Sequence, residues 1–167
     1  MLPEAYATTD RPGGAATVLS VLVLRVGVTW LALPTQVCRE VAEMRRLHTL
    51  PHRVGRLPLH LVNLRGELHL CLRLGQLLGL EPEPSALASP MAYPRLVLIE
   101  YEAERWVVLV DALAGVESCP VSRAQEGRPP LPPALEALHG GDLLWQETLL
   151  PWLDPTRLYA ALRRELV

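Results

Sequence analysis

A mainly β fold, built as two small barrels around a shared hydrophobic core, is predicted by three observations. Apolar runs of strand length recur along the 167 residues, separated by turn signals. The runs also repeat: Trp30 aligns with Trp106, Leu22 with Leu98, Leu33 with Leu109 and Val37 with Leu113, and residues 70–73 align with residues 151–154. Neither half has enough apolar sequence to be comfortable alone, so the two are expected to share a core.

Taken in order, residues 1–16, with two prolines and two adjacent glycines, read as a loose tail before an ordered unit at 17–167. VLSVLVLRV is rich in β-branched residues and leads through Gly27 to TWLALP, a hairpin whose second strand stops at Pro34. In TQVCREVAEMRRL, Val37, Val41 and Met44 fit either a short helix or a helical turn continuing into a third strand. HTLPHRVGRLPLH, with two prolines, excludes a long regular element.

Residues 59–80, LHLVNLRGELHLCLRLGQLLGL, are the organising stretch. A turn at Asn63, Leu64, Arg65 and Gly66 opens onto a strand that places Leu68, Leu70, Leu72 and Leu74 on one face, predicted to pack inward. Glu67, His69, Cys71 and Arg73 fall on the other, available face. Leu74, Leu77 and Leu78 then make one helical turn ending at Gly79. A proline-rich linker near 81–90 separates this from RLVLIEYEAERWVVLVDAL, a second hairpin turning at Glu102, Ala103 and Glu104, and AGVESCPV continues as a further strand. After a second linker near 123–133, PALEALHGG reads as a short helix closed by its glycines. Two strands and a helix end the chain: Asp154 is the N-cap, Pro155 the first helical residue, and Leu158, Leu162 and Leu166 the apolar face.

Composition narrows function by exclusion. The chain is 50% hydrophobic and 20% charged, as a folded domain should be, and its 16 basic against 18 acidic residues leave a formal charge of -2. No field of that size recruits nucleic acid or an anionic membrane. Every basic residue is Arg, so neither a Walker-type phosphate loop nor Schiff-base chemistry has its lysine. Phe is absent too, and a GC-rich genome accounts for both biases. Cys38, Cys71 and Cys119 are widely spaced and odd in number, which predicts reduced thiols. The start lacks a signal-peptide pattern, and the apolar run at 18–24 is broken by Arg25, far short of the about 20 residues a bilayer span requires. A cytoplasmic location without membrane insertion is expected.

The turn VNLRGEL at 62–68 closely resembles the CheW-like coupling domain of bacterial chemosensory systems, and VCREV at 37–41, LVDAL at 109–113 and LLPWLDPTRL at 149–158 extend the similarity over nearly all of the ordered chain. The resemblance implies two intertwined five-stranded SH3-like barrels with a core between them. It also implies an adaptor without catalytic activity or cofactor that bridges a chemoreceptor's cytoplasmic tip and the regulatory domain of a CheA-type histidine kinase at membrane receptor arrays. The chain departs from the family pattern at His60, Leu70, Arg73 and Val107, while LPHR at 50–53 and LCL at 70–72 look closer to divergent members of surface-sensing, Wsp-type pathways.

Arg65 is the leading candidate, because a guanidinium beside a glycine turn offers a planar fork to a carboxylate. The resemblance pairs it with an acid at Glu40 near receptor and kinase contacts, so an internal ion pair and a partner contact both stand as readings. Asn63 and Gly66 belong to the turn chemistry, and Val37 and Val41 complete the predicted binding set. His69 and Cys71 lie two apart on a strand, the basis for a rival reading as a small thiol- or metal-dependent enzyme. Against it, no third orienting group is evident, and HTLPH, with His48 and His52 near His60, is interrupted by Pro51. A further alternative keeps the fold but binds the kinase alone. Trp30, Trp106, Trp145 and Trp152 are expected to fill the core, and Glu100, Glu102 and Glu104 to form a solvated face.

Overall fold

The computed structural model describes residues 17–51, 55–80, 93–123 and 128–167. The predicted tail at 1–16 and the linker at 81–90 lie outside the described residues, as do His52 and residues 124–127 of the second linker. Hairpins appear where the alternating runs require them. β1 (Val18–Val26) and β2 (Thr29–Pro34) turn at Gly27, and a 3-10 turn at Thr35–Val37 leads into β3 (Cys38–Glu43). The turn-plus-strand alternative is therefore the observed one. β4 (His48–Thr49) is a two-residue strand, consistent with the prolines around it. β5 (His60–Leu64), β6 (Glu67–Arg73) and α1 (Leu74–Leu77) follow, then β7 (Arg95–Tyr101), β8 (Glu104–Val110) and β9 (Ala112–Ser122). α2 (Pro133–Leu138), β10 (His139–Trp145), β11 (Thr148–Leu153) and α3 (Pro155–Arg164) complete the chain. Asp154 caps α3 as predicted, accepting from the backbone N–H groups of Thr156 at 2.8 Å and Arg157 at 3.3 Å.

The strands make one closed barrel, β1-β2-β11-β10-β9, and a second sheet ordered β3-β7-β8-β6-β5-β4. Each unit takes the hairpin of one sequence repeat and the remaining strands of the other, so the barrels are intertwined. In each, a strand from one half joins the other in parallel, β11 beside β2 and β6 beside β8. The second sheet carries the short β4 in addition to the five strands expected, and its edges, β3 and β4, are not joined by a strand ladder.

Three apolar clusters follow from this arrangement. Val21 and Val23 of β1 point into the first barrel with Leu143, Leu150 and Trp152. Leu96, Leu98, Val107 and Leu109 fill the second with Val62 and Cys71. Their neighbours along the same strands, Leu22 and Leu24, Val97 and Ile99, Trp106 and Val108, face a shared layer completed by Leu72, Leu158, Tyr159 and Leu162. Strands covered on both faces read as continuous apolar runs, which is why VLSVLVL and RWVVLV lack a polar side.

The same sandwiching corrects the reading of β6. Cys71 and His69 are buried in the second barrel on the face predicted to be available, whereas Leu68 near the turn is 64% exposed. Alternation separates two faces without saying which one meets protein. Other differences are local. The repeat aligns the first hairpin one residue off the predicted register, because the turns at 27–28 and 102–103 superpose and place Leu31, not Trp30, on Trp106. Trp106 and Trp152 are buried, but Trp30 and Trp145 are partly exposed, their rings 5.2 Å apart. Gly140 and Gly141 belong to β10 rather than closing α2: a Cβ on Gly140 would fall 2.6 Å from the Trp152 ring. Leu166 lies beyond α3 and is exposed.

Candidate partner-binding surface

The turn between β5 and β6 has two central residues, Arg65 and Gly66, both left-handed at φ 53° and 85°. That is the geometry whose twist matches a tight hairpin, and Gly supplies it freely. The Asn63 side-chain carbonyl accepts from the Gly66 N–H at 2.8 Å and fixes the turn, as sequence reasoning assigned. Arg65 is thereby held outward, its side chain 83% exposed.

Across from it lies β3, whose register against β7 shifts between Cys38 and Glu40. Ala42 enters the second barrel, so Glu40, two residues earlier, stands on the same side at the barrel's rim. Arg65 Nε meets Glu40 Oε1 at 3.1 Å. The pair spans the seam that no ladder closes, and an open groove of about 290 Å³ runs along it, lined by Val41, Glu43, Arg45 and Leu64 among others. Val41 faces out, 44% exposed. Val37 does not join this set: it is 2% exposed and packs with Val21 and Val23 in the first barrel, so its predicted contact role is corrected to a packing one.

Sequence reasoning missed an ion-pair ladder beside this seam. Arg39 of β3 meets Glu100 of β7 at 2.9 Å, Glu100 also binds Arg105 of β8, and Arg105 reaches Glu67 of β6 at 3.3 Å. The Arg105 hydrogen bond holds the Glu100 carboxyl below the usual carboxylate range, helped by the Arg39 charge and opposed by desolvation. Glu102 and Glu104 face Arg163 of α3 at 4.0 and 2.9 Å, so the acidic row is ion-paired rather than merely solvated. The hairpin register itself carried the signal, since Glu100 and Arg105 flank the turn symmetrically. A second cluster also escaped notice: Arg128 and His139 both reach Asp142 at 3.0 Å, tying the start of β10 to the loop before α2.

The thiol-enzyme reading fares poorly on geometry. Cys71 is fully buried, and burial pushes its thiol up to about 12 despite the opposing Arg73 charge, so no thiolate forms near neutrality. The His69 Nε2 faces Glu67 at 3.7 Å. Among the described residues no three His, Cys, Asp or Glu side chains converge as a metal-ligand set. His60 meets Thr49 Oγ1 at 3.2 Å, Leu70 packs against the shared layer and Val107 is fully buried. These departures from the family pattern are accommodated within the fold, and Arg73 alone of the four is exposed.

The strand order defines a small double-barrel β protein with an open seam between β3 and the β5–β6 turn. The chain belongs to the CheW-like domain family, whose model matches residues 20–163, a scaffold and adaptor family of chemotaxis signalling. Its structure is similar to that of the scaffolding protein TtCheW from Thermoanaerobacter tengcongensis, with a TM-score of 0.61, 15% sequence identity, and coverage of 80% of this chain and 87% of that one. No curated protein matches the chain in sequence. Among the described residues no helix is long and apolar enough to cross a membrane.

Proposed function

We propose that this chain is a non-catalytic adaptor that couples a chemoreceptor's cytoplasmic tip to the regulatory domain of a CheA-type histidine kinase, recruited from the cytoplasm to receptor arrays. The observation that carries the reading is the seam between β3 and the β5–β6 turn, where the exposed Arg65, paired with a partly buried Glu40, stands beside an uncovered Val41. Such a pair is worth at most about 1 kcal/mol to an isolated protein. It becomes a strong recognition element when a partner excludes water and offers a carboxylate to the guanidinium fork. Asn63 and Gly66 aim the fork. An adaptor of this kind alters kinase activity through unequal affinity for the kinase's states.

Titration of the chain with a receptor cytoplasmic fragment and with the kinase regulatory domain tests the reading. Binding to both is expected, and binding to neither at low salt overturns it. Arg65→Glu is expected to weaken binding at least about tenfold, or 1.4 kcal/mol, while unfolding stability changes by less than about 1 kcal/mol. Equal losses in binding and stability would show instead that the pair serves the fold. Retained kinase binding with no receptor binding would establish a kinase-only partner.

A further inference from the structure

A second surface shares no lining residue with the Arg65 seam. Helices α1, α2 and α3, with residues 55–56, surround an open groove of about 800 Å³. Leu77 of α1, Ala134 and Ala137 of α2 and Ala161 of α3 supply apolar walls with little relief, and Arg56 and Arg164 stand at the rim. Both arginines are exposed, and among the described residues neither meets a carboxylate; the Arg164 Nε donates to the Ala160 carbonyl at 3.3 Å. The acid lining the groove, Glu165, is already engaged. It is 5% exposed, and its Oε2 accepts from the Leu57 N–H at 2.9 Å. A Cβ on Gly55 would fall 2.7 Å from Glu165 Cα, so this loop is pressed against the end of α3 and forms a fixed wall. Val167 lines the groove as well, and its backbone carboxylate offsets one guanidinium, so two arginines against one carboxylate leave a single net positive charge for a ligand to answer.

We propose that this groove docks an acidic amphipathic helix of a partner protein, its apolar ridge against Ala134, Ala137 and Ala161 and its flanking carboxylates on Arg56 and Arg164. Low relief lets a helix approach closely, as ridges settle into grooves between neighbouring helices. Each guanidinium then gains a charge-assisted partner at an edge where water is displaced. A basic helix of the same shape meets two like-charged guanidinium groups and is rejected.

The test titrates the full chain at low salt with a synthetic helix of about four turns, Leu and Ala on one side and Glu on both flanks, against a twin carrying Lys for Glu. Amide NMR shifts locate the contact. The acidic peptide is expected to bind, with shifts confined to α1–α3 and residues 55–57, and the Lys twin not to bind. Arg56→Glu combined with Arg164→Glu should weaken binding at least about tenfold for two lost charge-assisted contacts. Ala137→Trp should abolish it by filling the groove; if that variant misfolds, the charge variant decides. Arg65→Glu should bind the peptide as the parent does, which separates this surface from the coupling one. No binding, equal binding of both peptides, or shifts elsewhere would overturn the proposal. So would binding that appears only when residues 81–92 are replaced by a Gly-Ser segment, because the groove would then belong to the chain's own linker.

Discussion

Burial decides what Cys71 can do. Its thiol sits inside the second barrel with its pKa pushed up to about 12, so the folded chain holds that proton more firmly than the unfolded chain does. The resulting stabilisation is complete below the unfolded thiol's pKa and is lost as pH rises through the folded value. At pH 8 a thiol reagent is expected to leave Cys71 unlabelled until the protein unfolds, as followed by mass spectrometry. Fast labelling of the native chain would revive thiol chemistry. Glu100 runs the other way, since its lowered pKa lends stability above the ordinary carboxylate range that acid removes. The residue roles that could be read in advance were those set by local geometry: Asn63 and Gly66 at their turn, Asp154 at its cap. Val37 and His69 were misplaced because their surroundings come from strands distant in sequence.

Among elements, the hairpins were the most legible, since alternating runs and their polar interruptions mark them directly. Their turns were less so. Glu102 and Ala103 sit at φ 49° and 66°, and Gln146 and Glu147 at 48° and 63°, left-handed positions without the Gly or Asn that usually announces them. Ala103→Gly relieves such a position without touching the Glu102 or Glu104 contacts to Arg163. It is expected to stabilise the protein by about 1 kcal/mol, as read from urea unfolding; a loss would mean the turn depends on the methyl group. Gly140 shows the converse. Two glycines after a helical pattern read as its stop, whereas the actual demand is the Trp152 ring lying against the backbone of β10.

For the whole molecule, the decisive fact is that neither barrel is made from one continuous stretch. The repeat announced two units, but the exchange of hairpins between them rests on pairings such as β1 with β9, which no local pattern encodes. Strands that each feed one barrel and the shared layer couple the two, so a single unfolding transition is expected. Tryptophan fluorescence, reporting largely on Trp30, Trp145 and Trp152 in the first barrel, and Cys71 labelling in the second should then give the same midpoint. Two separated midpoints would show barrels that fold alone.

The exchanged hairpin also sets a timetable for synthesis. Strands β3 to β8 are complete once Val110 has left the ribosome, but β1 and β2 have to wait for β9, β10 and β11, which are made after all of these. Until then a very apolar ribbon stands with an unfilled edge, so the nascent chain is most vulnerable to aggregation at β1 and β2.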